Sequence, residues 1–157
     1  MNQQALFGLE QAETTSDDYY TPKWVFDALD CEFDLDVCAP PGGAPFVPAK
    51  RHFTRFDDGL VQEWKGFVWM NPPFSNPLPW AYRFVEHNNG IALVPTSQGR
   101  WMEVIWNADT AWTSLKSMKF HTPTGPAKSS LPNRCWLVAA GNKAKQILVK
   151  SNLGVVR

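Results

Sequence analysis

No apolar run in this 157-residue chain approaches the roughly 20 residues that a membrane-spanning helix needs. The start, Met1-Asn2-Gln3-Gln4, lacks the basic and apolar regions of a secretion signal, so the expectation is a cytoplasmic protein with no membrane partner. Cysteine is scarce. Cys31, Cys38 and Cys135 are odd in number and show no C-x-x-C spacing, which argues against a disulfide framework or a cysteine zinc site and leaves buried free thiols. His52, His87 and His121 are scattered without a carboxylate cluster, so no metal is expected. Net charge is also missing, with 15 basic against 15 acidic residues, and that total alone argues against a nucleic-acid binder. Its distribution argues the other way. Residues 1–99 hold 6 Lys and Arg against 13 Asp and Glu, whereas residues 100–157 hold 9 against 2, so an acidic pocket and a basic face can coexist.

What remains is 44% hydrophobic and 19% charged, the balance of a globular domain rather than a disordered tail. Residues 1–16 are polar without a sustained period and read as a flexible leader; residues 17–157 read as one domain. Thr21-Pro22 predicts a helix start with Thr21 as N-cap, followed by Trp24, Val25, Ala28 and Leu29 on one face. Glu32 to Val37 alternates polar and apolar residues, a strand entering the sharp loop Cys38-Ala39-Pro40-Pro41-Gly42-Gly43. The stretch from Pro45 to Asp58 offers no assignment. Beyond it the pattern predicts a strand at Phe67–Met70, a helix at Pro77–His87, a buried strand at Ile91–Pro95 and a helix at Arg100–Asn107. Three strands follow, at Ala111–Leu115, Met118–Phe120 and Cys135–Ala140. Alternating strands and helices followed by a strand cluster predict an α/β sheet, mostly parallel, with an antiparallel C-terminal end.

The segment Asn71-Pro72-Pro73-Phe74 follows the apolar run Phe67-Val68-Trp69-Met70 and so falls where a buried strand ends. It suits a flat, nitrogen-bearing ligand. The exocyclic amino group of adenine or cytosine is a poor nucleophile because its lone pair is delocalised into the ring. An Asn oxygen and a neighbouring backbone carbonyl, each accepting one N–H, draw it toward tetrahedral geometry. Proline at positions 72 and 73 restricts the backbone and fixes the direction of the Pro72 carbonyl, and Phe74 offers a stacking face. Asn-Pro-Pro after a strand is also compatible with a plain turn.

Ligands of doubly wound sheets bind outside the carboxyl ends of the strands, where Asp36, the turn Asp57-Asp58-Gly59-Leu60 and Asn71 all fall. One crevice can hold them together. A carboxylate beside a sulfonium or amino group, and another near an adenine amino group or a ribose hydroxyl, suit S-adenosylmethionine.

In order along the chain, Tyr20-Thr21-Pro22, Asp36-Val37-Cys38-Ala39, Asp58-Gly59-Leu60, Trp64, Trp69-Met70-Asn71-Pro72-Pro73-Phe74-Ser75 and Leu93-Val94-Pro95 resemble the phage-type DNA N6-adenine methyltransferases, the small Dam-like enzymes of phages and prophages. The resemblance covers roughly residues 18–140. It implies a Rossmann-like class I methyltransferase sheet and S-adenosylmethionine-dependent methylation of adenine N6 in DNA, with the target base flipped out. It also implies cofactor contacts from Tyr20, Thr21, Pro22, Asp36, Cys38, Ala39, Asp57 and Asp58, and a catalytic loop of Asn71, Pro72, Pro73 and Phe74. Three features depart from the broader pattern: Phe74 stands where Tyr is more frequent, Ala39-Pro40-Pro41-Gly42-Gly43 replaces a Gly-rich loop, and no acidic strand end between Ala44 and Phe56 is available for the ribose. DNA contacts are expected from Ser75, Arg100, Lys128, Ser129 and Arg134. Asn-Pro-Pro-aromatic loops also serve methyl transfer to cytosine N4, RNA bases and protein glutamine, and a non-catalytic DNA-binding phage protein on the same scaffold is a further alternative.

Overall fold

A computed structural model describes residues 19–96, 98–126 and 134–157. In chain order the elements are α1 (Lys23–Leu29), β1 (Phe33–Asp36), β2 (Ala49–His52), β3 (Val68–Met70), α2 (Leu78–His87), β4 (Gly90–Pro95), α3 (Arg100–Trp106), β5 (Thr110–Ser114), β6 (His121–Thr122), β7 (Gly125–Pro126), β8 (Cys135–Ala140) and α4 (Asn142–Lys150). Six strands form one sheet in the order β2-β1-β3-β4-β8-β5. The pairs β1–β2, β1–β3 and β3–β4 are parallel; β8 is antiparallel to both β4 and β5. The expected mostly parallel α/β sheet with an antiparallel C-terminal end is therefore present. β6 and β7 pair as a separate small hairpin.

Side-chain alternation along β3, β4 and β8 splits the core into two layers, and β1 departs from it, Phe33 and Leu35 lying two residues apart yet in opposite layers. Phe33, Trp69, Ile91 and Leu137 face the side covered by α1 and α4, whereas Leu35, Met70, Ala92 and Val138 face the side covered by α2 and α3. β4 is buried on both faces, which explains why its sequence is a continuous apolar run rather than an alternating one. With helices on both faces, ligand access is restricted to the strand ends.

Several elements differ from the sequence expectation. Thr21 is not an N-cap: α1 begins at Lys23, Pro22 is the capping residue, and no side chain caps the helix. The Thr21 hydroxyl is left to face elsewhere. β2 lies within the unassigned stretch because Ala-Lys-Arg-His has no apolar alternation; it is an exposed edge strand held by its ladder with β1. Met118–Phe120 is not a strand. Met118 and Phe120 are buried at alternate positions, which mimics one, but pairing begins only at His121. The C-terminal helix α4 went unread, although Ala144 and Leu148 on its buried face have helical spacing.

One turn places part of the site. Asp58 adopts a left-handed backbone (φ 55°), its Oδ1 accepts from the Leu60 N–H, and the Gly59 carbonyl accepts from the Trp64 indole N–H at 2.7 Å. Gly59 packs so tightly that a Cβ there would fall on the Val37 carbonyl oxygen and touch the Trp80 ring at 3.1 Å. Gly59→Ala is therefore expected to lower stability by about 1–3 kcal/mol, the usual cost of overpacking, in urea unfolding followed by tryptophan fluorescence. An unchanged midpoint would show that the turn can shift freely.

Candidate active site

A cavity of about 350 Å³ opens at the carboxyl ends of the parallel strands. Each contributing residue is placed by its element. Asp36 ends β1 and Asn71 follows β3, while Thr54 and Arg55 lie just past β2. The Asp58-Gly59 turn closes one side and Tyr19, Tyr20 and Thr21, preceding α1, close another. Trp69 and Trp80 supply aromatic lining.

Asp36 is only 3% exposed. Its Oδ1 accepts from the Cys38 N–H at 3.2 Å, a turn closed on its own backbone, and no ion pair involving it occurs among the described residues. Burial pushes its carboxyl up to about 7, only partly opposed by that hydrogen bond. Thr21 is 3% exposed and its Oγ1 has no hydrogen-bond partner among the described residues, a cost that ordinary cores avoid. Among the described residues, a buried carboxylate without a cation and a buried hydroxyl without a partner thus line the same cavity. Both conditions are relieved by a ligand that brings a positive group and a polar atom.

Asn71 is half-buried, and its Nδ2 donates to the Tyr19 carbonyl at 3.2 Å. That commits the amide nitrogen and leaves Oδ1 as the atom able to accept from a ligand N–H. Pro73 lines the cavity; Pro72 is buried behind it. The Phe74 ring is half-buried and meets Phe120 edge-on at 6.5 Å, while Tyr19 stacks on the same Phe120 at 5.6 Å.

The structure brings Tyr20, Thr21, Asp36, Cys38, Ala39, Asp58, Asn71 and Pro73 to the cavity. Pro22, Asp57, Pro72 and Phe74 lie outside its lining. Asp57 turns back on its own loop, its Oδ2 accepting from the Thr54 N–H at 2.7 Å and from Thr54 Oγ1 at 3.0 Å, and these bonds hold its carboxyl below the usual range. Ser75, Arg100 and Arg134 are exposed, and the Arg134 carbonyl accepts from Thr96 N–H and Oγ1 at the end of β4. Lys128 and Ser129 lie outside the described residues. Of the thiols, Cys135 is buried whereas Cys31 and Cys38 are only partly so, with Cys38 on the cavity wall. Among the described residues no group of His, Cys, Asp or Glu is arranged to hold a metal, and no helix is long and apolar enough to cross a membrane. Trp64, Trp69 and Trp80 are core residues, and Trp24 packs partly buried on the core under the Lys116 ammonium.

Sequence reading missed Tyr19, Thr54 and Arg55. Tyr19 acts through a backbone carbonyl, which has no sequence signature, and the other two follow a strand that carried no signal.

The profile of the DNA N-6-adenine-methyltransferase (Dam) family matches residues 9–117, a span that contains every residue lining the cavity. The chain belongs to this family. A DNA N-6-adenine-methyltransferase of Haemophilus phage HP1 (strain HP1c1) is 31% identical over 103 residues, covering 59% of this chain and 58% of that relative. The Dam-family chain thus spans less than two thirds of the phage protein it resembles. No solved structure matches it.

Proposed function

We propose that this chain transfers a methyl group from S-adenosylmethionine to the exocyclic N6 of adenine in DNA, on a Rossmann-like methyltransferase sheet. The observation that carries the reading is the single cavity in which Asp36 and Thr21 lie beside Asn71, at the strand ends where doubly wound sheets bind ligands.

The residues suit the cofactor. The cavity falls within the usual size for small-molecule sites. Asp36 lacks a cation that the amino-acid ammonium of S-adenosylmethionine would provide, and the unpartnered Thr21 hydroxyl would gain a hydrogen bond. Tyr20, Cys38, Ala39 and Asp58 form the remaining walls. Pro22, the N-cap of α1, fixes the chain after Thr21; Asp57 shapes the turn that presents Asp58. When bound, the cofactor supplies a methyl carbon made electrophilic by a positively charged sulfur.

The chain supplies alignment. Asn71 Oδ1 accepts one N–H of the target amino group and the Pro72 carbonyl the other, drawing the lone pair out of conjugation. The Phe74 ring, braced by Phe120, stacks on the base. With the cofactor bound, Asn71 and the Pro72 carbonyl would hold the amino nitrogen toward that methyl carbon, and the proton shed by the nitrogen would leave to water. Extruding the base from a duplex costs roughly a few kcal/mol, which stacking and these hydrogen bonds repay. Ser75, Arg100 and Arg134, with Lys128 and Ser129, serve the DNA backbone and base edges.

Mass spectrometry of nucleosides from unmethylated DNA incubated with protein and labelled cofactor tests this directly. N6-methyladenine is expected. Label in cytosine N4, in RNA or in protein, or saturable DNA binding with no label anywhere, would overturn it in favour of one of the rival acceptors or a non-catalytic binder.

A further inference from the structure

We propose that Tyr19 and Phe120 are positioning residues that lock the Asn71 amide in the one orientation turning its oxygen toward the target base. This rests on the role given to Asn71 above. A side-chain amide rotated by half a turn keeps its shape but exchanges acceptor for donor. An inverted Asn71 would present N–H to an amino group and repel it. The Tyr19 carbonyl can only accept, so its contact with Asn71 Nδ2 selects the productive orientation. A hydrogen bond of ordinary net strength biases that choice by about two- to twelvefold.

The carbonyl is effective only if its own position is fixed, and three contacts fix it. The Tyr20 N–H donates to the His121 carbonyl at 2.7 Å and the His121 N–H donates back to the Tyr20 carbonyl at 3.0 Å. The Tyr19 ring stacks on Phe120, with centroids 5.6 Å apart and planes at 27°. His121 is in turn met edge-on by Phe46 at 4.9 Å. Phe120 is 1% exposed and also receives Phe74 edge-on, so one buried ring touches the aromatic partners on both sides of Asn71. It does not line the cavity. Orientation of the amide is therefore set from the segment leading into β6, in the basic third of the chain, through Tyr19 and Tyr20, which themselves line the cavity.

The test uses the full chain with ¹⁵N-labelled asparagine, the Asn71 side-chain signal being identified by its loss in Asn71→Ala. In the wild-type protein one Nδ2 proton should exchange more slowly with solvent than the other; in Phe120→Leu that protection should fall by about two- to twelvefold. With unmethylated DNA, kcat should fall by about 1.3- to 1.8-fold in Phe120→Leu, as the productive amide fraction drops to about one half, while the Kd for S-adenosylmethionine, by calorimetry, stays unchanged. Tyr19→Ala, at a half-buried position, should give the same loss of protection and turnover if Phe120→Leu fails to fold, and Tyr19→Phe should recover both. An unprotected Asn71 amide in the wild type, unchanged kcat in the variants, or kcat and cofactor affinity falling together in Phe120→Leu, whose ring lies outside the cavity lining, would overturn the proposal. If the wild type methylates no DNA, the role of Asn71 fails, and amide protection alone still decides whether the orientation is locked.

Discussion

Asn71→Ala should abolish methyl transfer almost completely, lowering kcat on DNA by about 10²–10³-fold, the usual cost of deleting one preorganised polar group at the reacting atom. Cofactor affinity should hardly change, because the Asp36 and Thr21 side of the cavity is untouched. The fold should also survive. Asn71 is half-buried and makes one weak hydrogen bond to Tyr19, so its removal costs about 1 kcal/mol. Single-turnover methylation alongside calorimetric titration separates the two effects. Activity within a few-fold of wild type would remove Asn71 from the chemistry, and loss of cofactor binding would make it structural.

The second large effect concerns Asp36, where stability and function are expected to oppose each other. Its carboxyl sits at about 7 in the folded chain against an ordinary value of 3.8. Below pH 3.8 both states are protonated and Asp36 contributes nothing. Between there and about 7 the unfolded chain has lost a proton that the folded chain keeps, so stability falls as pH rises; above 7 the penalty is complete, at most about 4 kcal/mol. Asp36→Asn removes this penalty but buries an amide N–H whose missing partner costs about 1–3 kcal/mol. The variant should therefore be more stable than wild type at pH 8 and no more stable at pH 4, in denaturant titrations at both pH values. Cofactor binding should move the opposite way. An ammonium needs the ionised carboxylate, so wild-type affinity should drop by up to about tenfold per pH unit below 7, and Asp36→Asn should bind poorly throughout. A variant that binds normally, or is destabilised at pH 8, would contradict the placement of the buried charge.

The positions of Asp36 and Asn71 were legible in the sequence because each ends a run whose pattern marks a buried strand, and strand ends are where such sheets hold ligands. The mostly parallel sheet with its antiparallel end was legible from the alternation of strands and helices followed by a strand cluster. What escaped was held by backbone rather than side chain. β2 forms through ladder hydrogen bonds that a polar edge sequence does not announce, and with it Thr54 and Arg55 went unnoticed. Thr21 matched a helix cap, yet one residue of difference in where α1 starts frees its hydroxyl for the cavity. Phe120 looked like a strand residue; its burial was readable, but its two ring contacts depend on Tyr19 and Phe74, which only tertiary structure brings together.

The bridge between Tyr20 and His121 also bears on the order in which the candidate site is assembled. These residues are far apart in the chain, and contacts of such long sequence separation are costly to close and tend to form late. During translation Asn71 emerges well before His121, so a nascent chain lacks the anchor for the Tyr19 carbonyl until the hairpin has left the ribosome. Ribosome-arrested chains ending ahead of His121 should show no slow-exchanging Asn71 amide; finding one there would mean that the bridge is dispensable for maturation.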